Sequence, residues 1–309
     1  MNELDLPHLS GGLTSRPLQQ TDARAVYEVM AADEMDQLGS VEIEEADIVS
    51  DWGRPSFDVA ASTVGVFDAD RLVGYAEVTK ADRGDAAVHP DYRGRGIGTA
   101  LAQWMQRRAR AGGASVIGMP VPEGGHGDRL LTDLGYHVRW TSWVLKLPEG
   151  ARIADRPLPE GYAVRAAEES EYPACHDVVE DAFLEWSVRD RESFEDFHAS
   201  VMGRPGFEPW NVRVVTDPEG TIVAVGIVNL AETEDDRPLE AYIPRLAVRR
   251  DQRNRGLAQV LLVDAFAAAR EHGAAVCGLS TDSRTGALGL YEKVGMVTTD
   301  VWVNRAKNL

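Results

Sequence analysis

Ala87-Val88-His89-Pro90-Asp91-Tyr92-Arg93-Gly94-Arg95-Gly96-Ile97-Gly98 returns 160 residues later as Ala247-Val248-Arg249-Arg250-Asp251-Gln252-Arg253-Asn254-Arg255-Gly256-Leu257-Ala258. The same offset holds through Leu101/Leu261, Ala109/Ala269, Gly113/Gly273, Val116/Val276, Gly118/Gly278, Leu130/Leu290 and Gly135/Gly295. A match of that length at one offset reads as a tandem duplication, and two copies are too few for a solenoid. The stretch from Leu147-Pro148-Glu149-Gly150 to Leu158-Pro159-Glu160-Gly161 is rich in Pro and Gly and has no periodicity, so it reads as the joint. The expected domains are 1–148 and 161–309, with 149–160 as linker.

Outward from the repeat, each half shows the same order of elements. The first is expected to hold a helix from about Thr21-Asp22, a strand pair over 59–67 and 71–79, and a short strand over 86–89. A helix over 96–111, a strand over 114–119, a short helix over 127–133 and a last strand over 136–147 follow. The second half repeats this, with early helices over 171–186 and 191–202, a hairpin over 210–215 and 222–230, and a strand over 239–248. A helix over 256–272, a strand over 275–281, a helix over 286–293 and a strand over 297–303 complete it. Strands first, then strand–helix–strand–helix–strand, make a mixed α/β layer fold.

The chain has 309 residues, 44% hydrophobic and 27% charged, values of a globular protein with room for two domains. No apolar run approaches the ~20 residues that span a bilayer, and the start, Met-Asn-Glu-Leu-Asp-Leu-Pro, lacks the marks of a signal peptide. Cys175 and Cys277 are the only cysteines, which fits a reducing, cytoplasmic setting and no disulfide framework. No Cys/His cluster has metal-ligand spacing. Net charge is −18, split evenly between residues 1–150 (23 acidic, 14 basic) and 151–309 (27 acidic, 18 basic). Such acidity disfavours nucleic acid and anionic membranes as partners, and suits solubility or a cationic small molecule.

The repeated Arg-x-x-Gly-x-Gly/Ala sits between a strand and a helix in both halves. Glycine there lets backbone approach a ligand closely, and free amides at a helix start favour an anion. Arg93 and Arg95, or Arg253 and Arg255, can add charge-assisted hydrogen bonds. The pattern is neither a Walker loop nor a dinucleotide Gly-x-Gly-x-x-Gly.

Val88 through Leu101 and Leu246 through Leu261 resemble the acyl-CoA signature of the GNAT superfamily of N-acyltransferases, in its tandem two-domain form. The resemblance covers nearly the whole chain. It implies two GNAT-like domains, α/β (α+β), each a mixed, mostly antiparallel sheet flanked by helices. It implies acetyl-CoA as co-substrate and no metal, with the pyrophosphate on the turn Arg253, Asn254, Arg255, Gly256, Leu257 and Ala258. In the first unit the matching residues are Val88, Arg93, Gly94, Arg95, Gly96, Ile97, Gly98 and Thr99. The strand before the turn is expected to be bulged and splayed from the next, with pantetheine held by backbone groups of Leu246, Ala247 and Val248. Ser283 stands where relatives often carry a pantetheine-binding Asn. The reaction implied is direct attack of a primary amine on the thioester within a ternary complex.

The halves differ where chemistry is expected. Tyr291 matches the family's general acid for the departing thiolate, with a packed core tyrosine as the plainer alternative. The position 160 residues earlier is Leu131, which cannot donate a proton. The second unit is therefore expected to be catalytic and the first degenerate. Glu240 is the candidate base, sharing one strand face with 242, 244, 246 and 248 and so looking along the groove, with an exposed loop-end glutamate as the plainer alternative. Glu232 and Glu234 are weaker candidates. Glu185, Trp186, Phe194, Phe197, His198 and Trp210 are candidate acceptor walls, or core. The acceptor is expected to be a small-molecule amine, and the protein a monomer or homodimer. The alternatives are acetylation of a protein amine, or a non-catalytic acyl-CoA sensor.

Overall fold

The computed structural model describes residues 6, 9, 11–79, 82–231 and 239–309. They divide into two compact units, Met1–Ser142 with Val301–Leu309, and Trp143–Asp300. The division falls before the expected linker, and the chain's last nine residues belong with the first unit.

In the first unit the strands are β1 (Thr14–Arg16), β2 (Thr63–Asp68), β3 (Arg71–Thr79), β4 (Arg83–Val88), β5 (Val116–Pro122) and β6 (His137–Lys146), which runs on into the second unit. The helices are α1 (Ala23–Leu38), α2 (Glu45–Trp52), α3 (Val59–Ser62), α4 (Ile97–Ala111) and α5 (His126–Asp133). Pairings β1–β2, β2–β3 and β3–β4 are antiparallel and β4–β5 is parallel. The place beside β5 is filled from the chain's end: Trp302 to Asn308 run antiparallel to Pro122 to Val116. Arg305 of that segment donates to Asp128 at 2.5 Å, and Val303 is buried in the core.

The second unit holds β7 (Ala163–Ala166), α6 (Tyr172–Phe183), α7 (Phe194–Val201), β8 (Val212–Thr216), β9 (Ile222–Leu230) and β10 (Glu240–Val248). It continues with α8 (Leu257–Glu271), β11 (Val276–Asp282), α9 (Leu288–Lys293) and the start of β12 (Val297–Asn308). Again the early pairings are antiparallel and β10–β11 is parallel. Residues 143–146 take the place beside β11, with Leu145 buried in its core. These are the mixed, mostly antiparallel sheets with helical flanks that the sequence predicts.

Periodicity explains most of the elements. β9 is apolar and buried from Ile222 to Val228 because both faces are covered there. α4 buries Ile97, Leu101, Met105 and Ala109, one face at a four-residue spacing. Two readings need correction. Residues 59–62 form a helical turn rather than strand, because the Asp58 side chain accepts the Ala61 amide and caps it. α2 had no place in the sequence reading, yet Glu44 and Asp47 form a reciprocal capping box that starts it.

One face of the first sheet carries opposed carboxylates. Glu77 and Asp85 are cross-strand partners, and Trp52 Nε1 donates to Glu77 at 2.9 Å. Burial pushes Glu77 up to about 7 and Asp85 up to about 6. Glu34 on α1, half-buried, is pushed up to about 7 by desolvation.

Two outcomes follow from this packing. Deleting 301–309 leaves β5 with an open edge, so amide protection across Val116–Pro122 should collapse in hydrogen exchange; retained protection would mean the terminal strand is dispensable. Glu77 favours its protonated form in the fold, so folded protein holds extra protons between about pH 4.5 and 7 and stability falls as pH rises through that window. Glu77→Gln should therefore flatten the loss between pH 5.5 and 8 and stabilise at pH 8 by ~1 kcal/mol, the remaining solvent contact keeping the gain small. Urea titrations at the two pH values test this, and a variant less stable at pH 8 contradicts it.

Candidate functional site

In each unit the parallel strand pair opens just before the glycine-arginine turn. The β10–β11 ladder runs from Glu240/Val276 to Ile243/Leu279 and stops there. Against β9 the register slips between Tyr242 and Arg245, a bulge. Pro244 lies at the slip, and proline has no amide for a ladder. Leu246, Ala247 and Val248 remain paired to β9, with Gly226, Val225 and Ala224, while their other edge has left β11. In the first unit the described β4–β5 ladder is the Arg83/Gly118 pair, and β3–β4 runs without a slip. The splay is common to both units, and the bulge belongs to the second.

The bulge changes which residues share a face. Ala241 and Ile243 pack with α8, and so, beyond the slip, do Leu246 and Val248. Ala247 instead packs with α6 and α7. Glu240 therefore does not share a face with Leu246 and Val248, as strict alternation would have it. It shares one with Tyr242, Arg245 and Ala247, on the side of the early helices.

Both turns have the same backbone. Gly96 and Gly256 are the N-caps of α4 and α8, each with φ of 82°. Two residues earlier Gly94 has φ 76° and Asn254 φ 65°. Asn is among the few side chains that tolerate this left-handed region, which is why Asn can replace Gly there. The turn points the first amides of a 15-residue helix outward in each unit.

The arginines of the turns are held by distant carboxylates. Arg253 forks onto Glu185 at 2.6 and 2.9 Å and donates to the Val248 carbonyl. Arg93 reaches Asp33 at 2.7 Å and also pairs with Asp36. Arg255 donates to the Tyr162 hydroxyl at 3.0 Å. Arg95 lies over the Tyr92 ring. Val88 ends β4 and Ile97, Gly98 and Thr99 open α4. A Cβ on Gly98 would meet Leu130 Cδ2 at 2.7 Å, whereas Ala258 carries one.

Tyr291 lies on α9, 8% exposed, its ring in the core that lines β10 and β11. Burial pushes its phenol up to about 12, with Tyr242 adding a little. Among the described residues its hydroxyl makes no hydrogen bond. Leu131 occupies the matching backbone position on α5: its carbonyl accepts from Tyr136, as that of Tyr291 accepts from Met296. It is 2% exposed in the first unit's core. Ser283 is exposed in the loop between β11 and α9, beside an Asp282–Arg284 ion pair.

Glu240 is bound by Lys146, whose Nζ donates to Oε2 at 2.8 Å. On the same face Tyr242 donates to Ser280 Oγ at 2.7 Å, and Arg245 to the buried Glu192 at 2.9 Å. Glu180, buried beside them, accepts both Arg189 and the Glu192 amide. Neither Glu192 nor Glu180 was expected from sequence. Their only sequence signal was their place beside Phe183, Phe194 and Phe197. Of the expected acceptor walls, Phe197 is fully buried core, Trp210 stacks on His272 at 4.1 Å, and Glu185 is committed to Arg253. Glu232 and Glu234 lie outside the described residues.

Cys175 and Cys277 are buried and free. Among the described residues no group of three or more His, Cys, Asp or Glu is placed to hold a metal, and no helix is long and apolar enough to cross a membrane.

The acetyltransferase (GNAT) family profile matches residues 24–127 and 171–296. A mycothiol acetyltransferase of Salinispora arenicola (strain CNS-205) is 30% identical over 247 residues, 75% of this chain and 77% of that protein. A GCN5-related N-acetyltransferase from Sphaerobacter thermophilus has a similar structure, with a TM-score of 0.73 and 24% identity over 97% of each chain. A tandem GNAT protein from the clavulanic acid biosynthesis pathway gives a TM-score of 0.71 at 17% identity, over 96% of this chain and 98% of that one. At these identities the two structures speak for the fold.

Proposed function

The chain belongs to the acetyltransferase (GNAT) family, and on that footing we propose that its second unit moves an acetyl group from acetyl-CoA to a primary amine of a small molecule. The observation that carries this reading is the contrast at one backbone position. A buried phenol with an unpartnered hydroxyl stands beside the opened strands of the second unit, and a leucine stands in the first. The likeness to a mycothiol acetyltransferase supports a small-molecule acceptor.

The turn 253–258 would take the pyrophosphate on its outward amides, where the helix dipole favours negative charge. Backbone groups of 246–248, freed from β11, would take the pantetheine arm. The amine nitrogen attacks the thioester carbon, and the collapsing adduct breaks the C–S bond, leaving its electron pair on sulfur. Tyr291 donates to that sulfur. A phenol at about 12 stays protonated at any working pH. A thiol has a pKa of ~8.5, so full proton transfer from the phenol runs uphill and hydrogen bonding to the developing charge is its main contribution. Glu240 takes the ammonium proton, directly or through water. Lys146 already engages one of its oxygens at 2.8 Å. The first unit keeps a comparable turn without a phenol, so it binds CoA without turnover or serves as scaffold.

Tyr291→Phe should lower kcat ~100-fold or more with little change in KM for acetyl-CoA, because the lost contact matters in the transition state. A screen of amines for acetyl-CoA-dependent thiol release supplies the assay. Near wild-type kcat would return Tyr291 to the core. Glu240→Gln should cost less, on the order of 10-fold, because the carboxylate is already engaged by Lys146 and water can take the proton in its place. A loss larger than that of Tyr291→Phe would reverse the ranking.

A further inference from the structure

The two anion-type turns differ in what lies over them. A Cβ on Gly96 would meet nothing within 4 Å, so that turn is open. A Cβ on Gly256 would collide with the Nε, Cδ and Cζ of Arg156. Arg156 comes from the segment read as linker, far from the repeated motif. The segment is fastened to α8 on both sides of it. Arg270 donates to the Ala151 carbonyl at 3.2 Å, Gln259 donates to the Ala154 carbonyl at 2.8 Å, and Ile153 is buried in the core. Beyond Arg156, Leu158 and Tyr162 pack against Leu257 and Leu261.

The placement is electrostatically unfavourable as it stands. The N-terminus of a 15-residue helix carries about half a positive charge. Arg253 and Arg255 flank it in the turn, yet Arg156 lies there too. Among the described residues Arg156 makes no hydrogen bond or ion pair, not even with its neighbour Asp155. Arg253 and Arg255 are engaged by Glu185 and Tyr162. A guanidinium set over helix amides without a protein acceptor fits a site completed by a diphosphate, whose oxygens accept from the amides and the fork at once.

We propose that Arg156 is a further CoA-binding residue of the second unit, its guanidinium donating to the pyrophosphate from the side opposite the helix amides, so that the segment 151–159 straps the nucleotide end of the substrate. The inference rests on the reading of 253–258 as the pyrophosphate turn. It gives the two units different affinities, because the first has no counterpart over Gly96.

The test is local. CoA is titrated into the full chain, and hydrogen exchange of the amides opening α8 is followed, which separates this site from the first unit. Arg156→Ala, an exposed substitution, should weaken CoA at this site ~10- to 100-fold, and Arg156→Lys by less, since a point charge lacks the fork. Dephospho-CoA, which lacks the 3′-phosphate, should show the same ratio between wild type and variant. An affected CoA titration with an unaffected dephospho-CoA titration would overturn the pyrophosphate assignment. Unchanged binding in Arg156→Ala would remove Arg156 from the site, and tighter binding would make it an obstruction. If wild-type protein shows no CoA-dependent protection at α8, the proposed function falls with it, a result distinct from a wild type that binds and a variant that binds equally.

Discussion

A strand that must leave its parallel neighbour and enter a helix through a left-handed turn constrains everything else in each unit. The turn needs φ near +80° at Gly96 and Gly256, where a β-carbon is strained, and a second positive φ two residues before. Only with both does the helix begin with its amides facing out of the sheet. The splay beside the turn leaves one edge of 246–248 without a ladder, a cost that a buried strand tolerates only where something else can pair. In the second unit Pro244 and the bulge fix the point of departure, and Arg245, turned by the bulge, is held by Glu192. The ion pair thus supports the geometry from which the site opens.

Much of this was legible from the chain alone. The repeat gave the duplication, the turn gave its strand–helix context, and β3 and β9 match their expected bounds residue for residue. The failures have physical causes. Alternation placed Glu240 on the face of Leu246 and Val248, but alternation holds only for an unbroken strand; the family resemblance implied a bulge without its position, which Pro244 marks only faintly. The swap of 301–309 into the first unit left no trace either, because a strand's sequence records that one face is buried and not which neighbour it pairs with.

The partners of the arginines were equally hidden. Composition makes Arg93 and Arg253 look like free cations waiting for phosphate. The fold gives each a carboxylate from an element 57 to 68 residues away, Asp33 and Asp36 in one case and Glu185 in the other. Such pairs tie the turn to the early helices and fix its position, a different service from binding the anion. By the same logic Arg156, set over a turn without a partner among the described residues, is the informative one, and it lies in a stretch read from sequence as a joint.

Divergence between the halves follows from what each face must hold. At the offset of 160, Arg245 corresponds to Asp85. In the second unit the buried charge is compensated by Glu192, so its face keeps ionised groups in fixed positions. In the first, Asp85 faces Glu77 across the ladder and burial raises both, so the face trades charge for protons. On the proposed division of labour, a site that presents a fixed charge to an ammonium cannot easily accept that trade, whereas a unit without catalysis can. Leu131 belongs to the same drift: without a hydroxyl to keep accessible, α5 seats an apolar side chain deep in the core. Tyr291 holds the same backbone position with its ring packed in the core and a hydroxyl that no described residue engages.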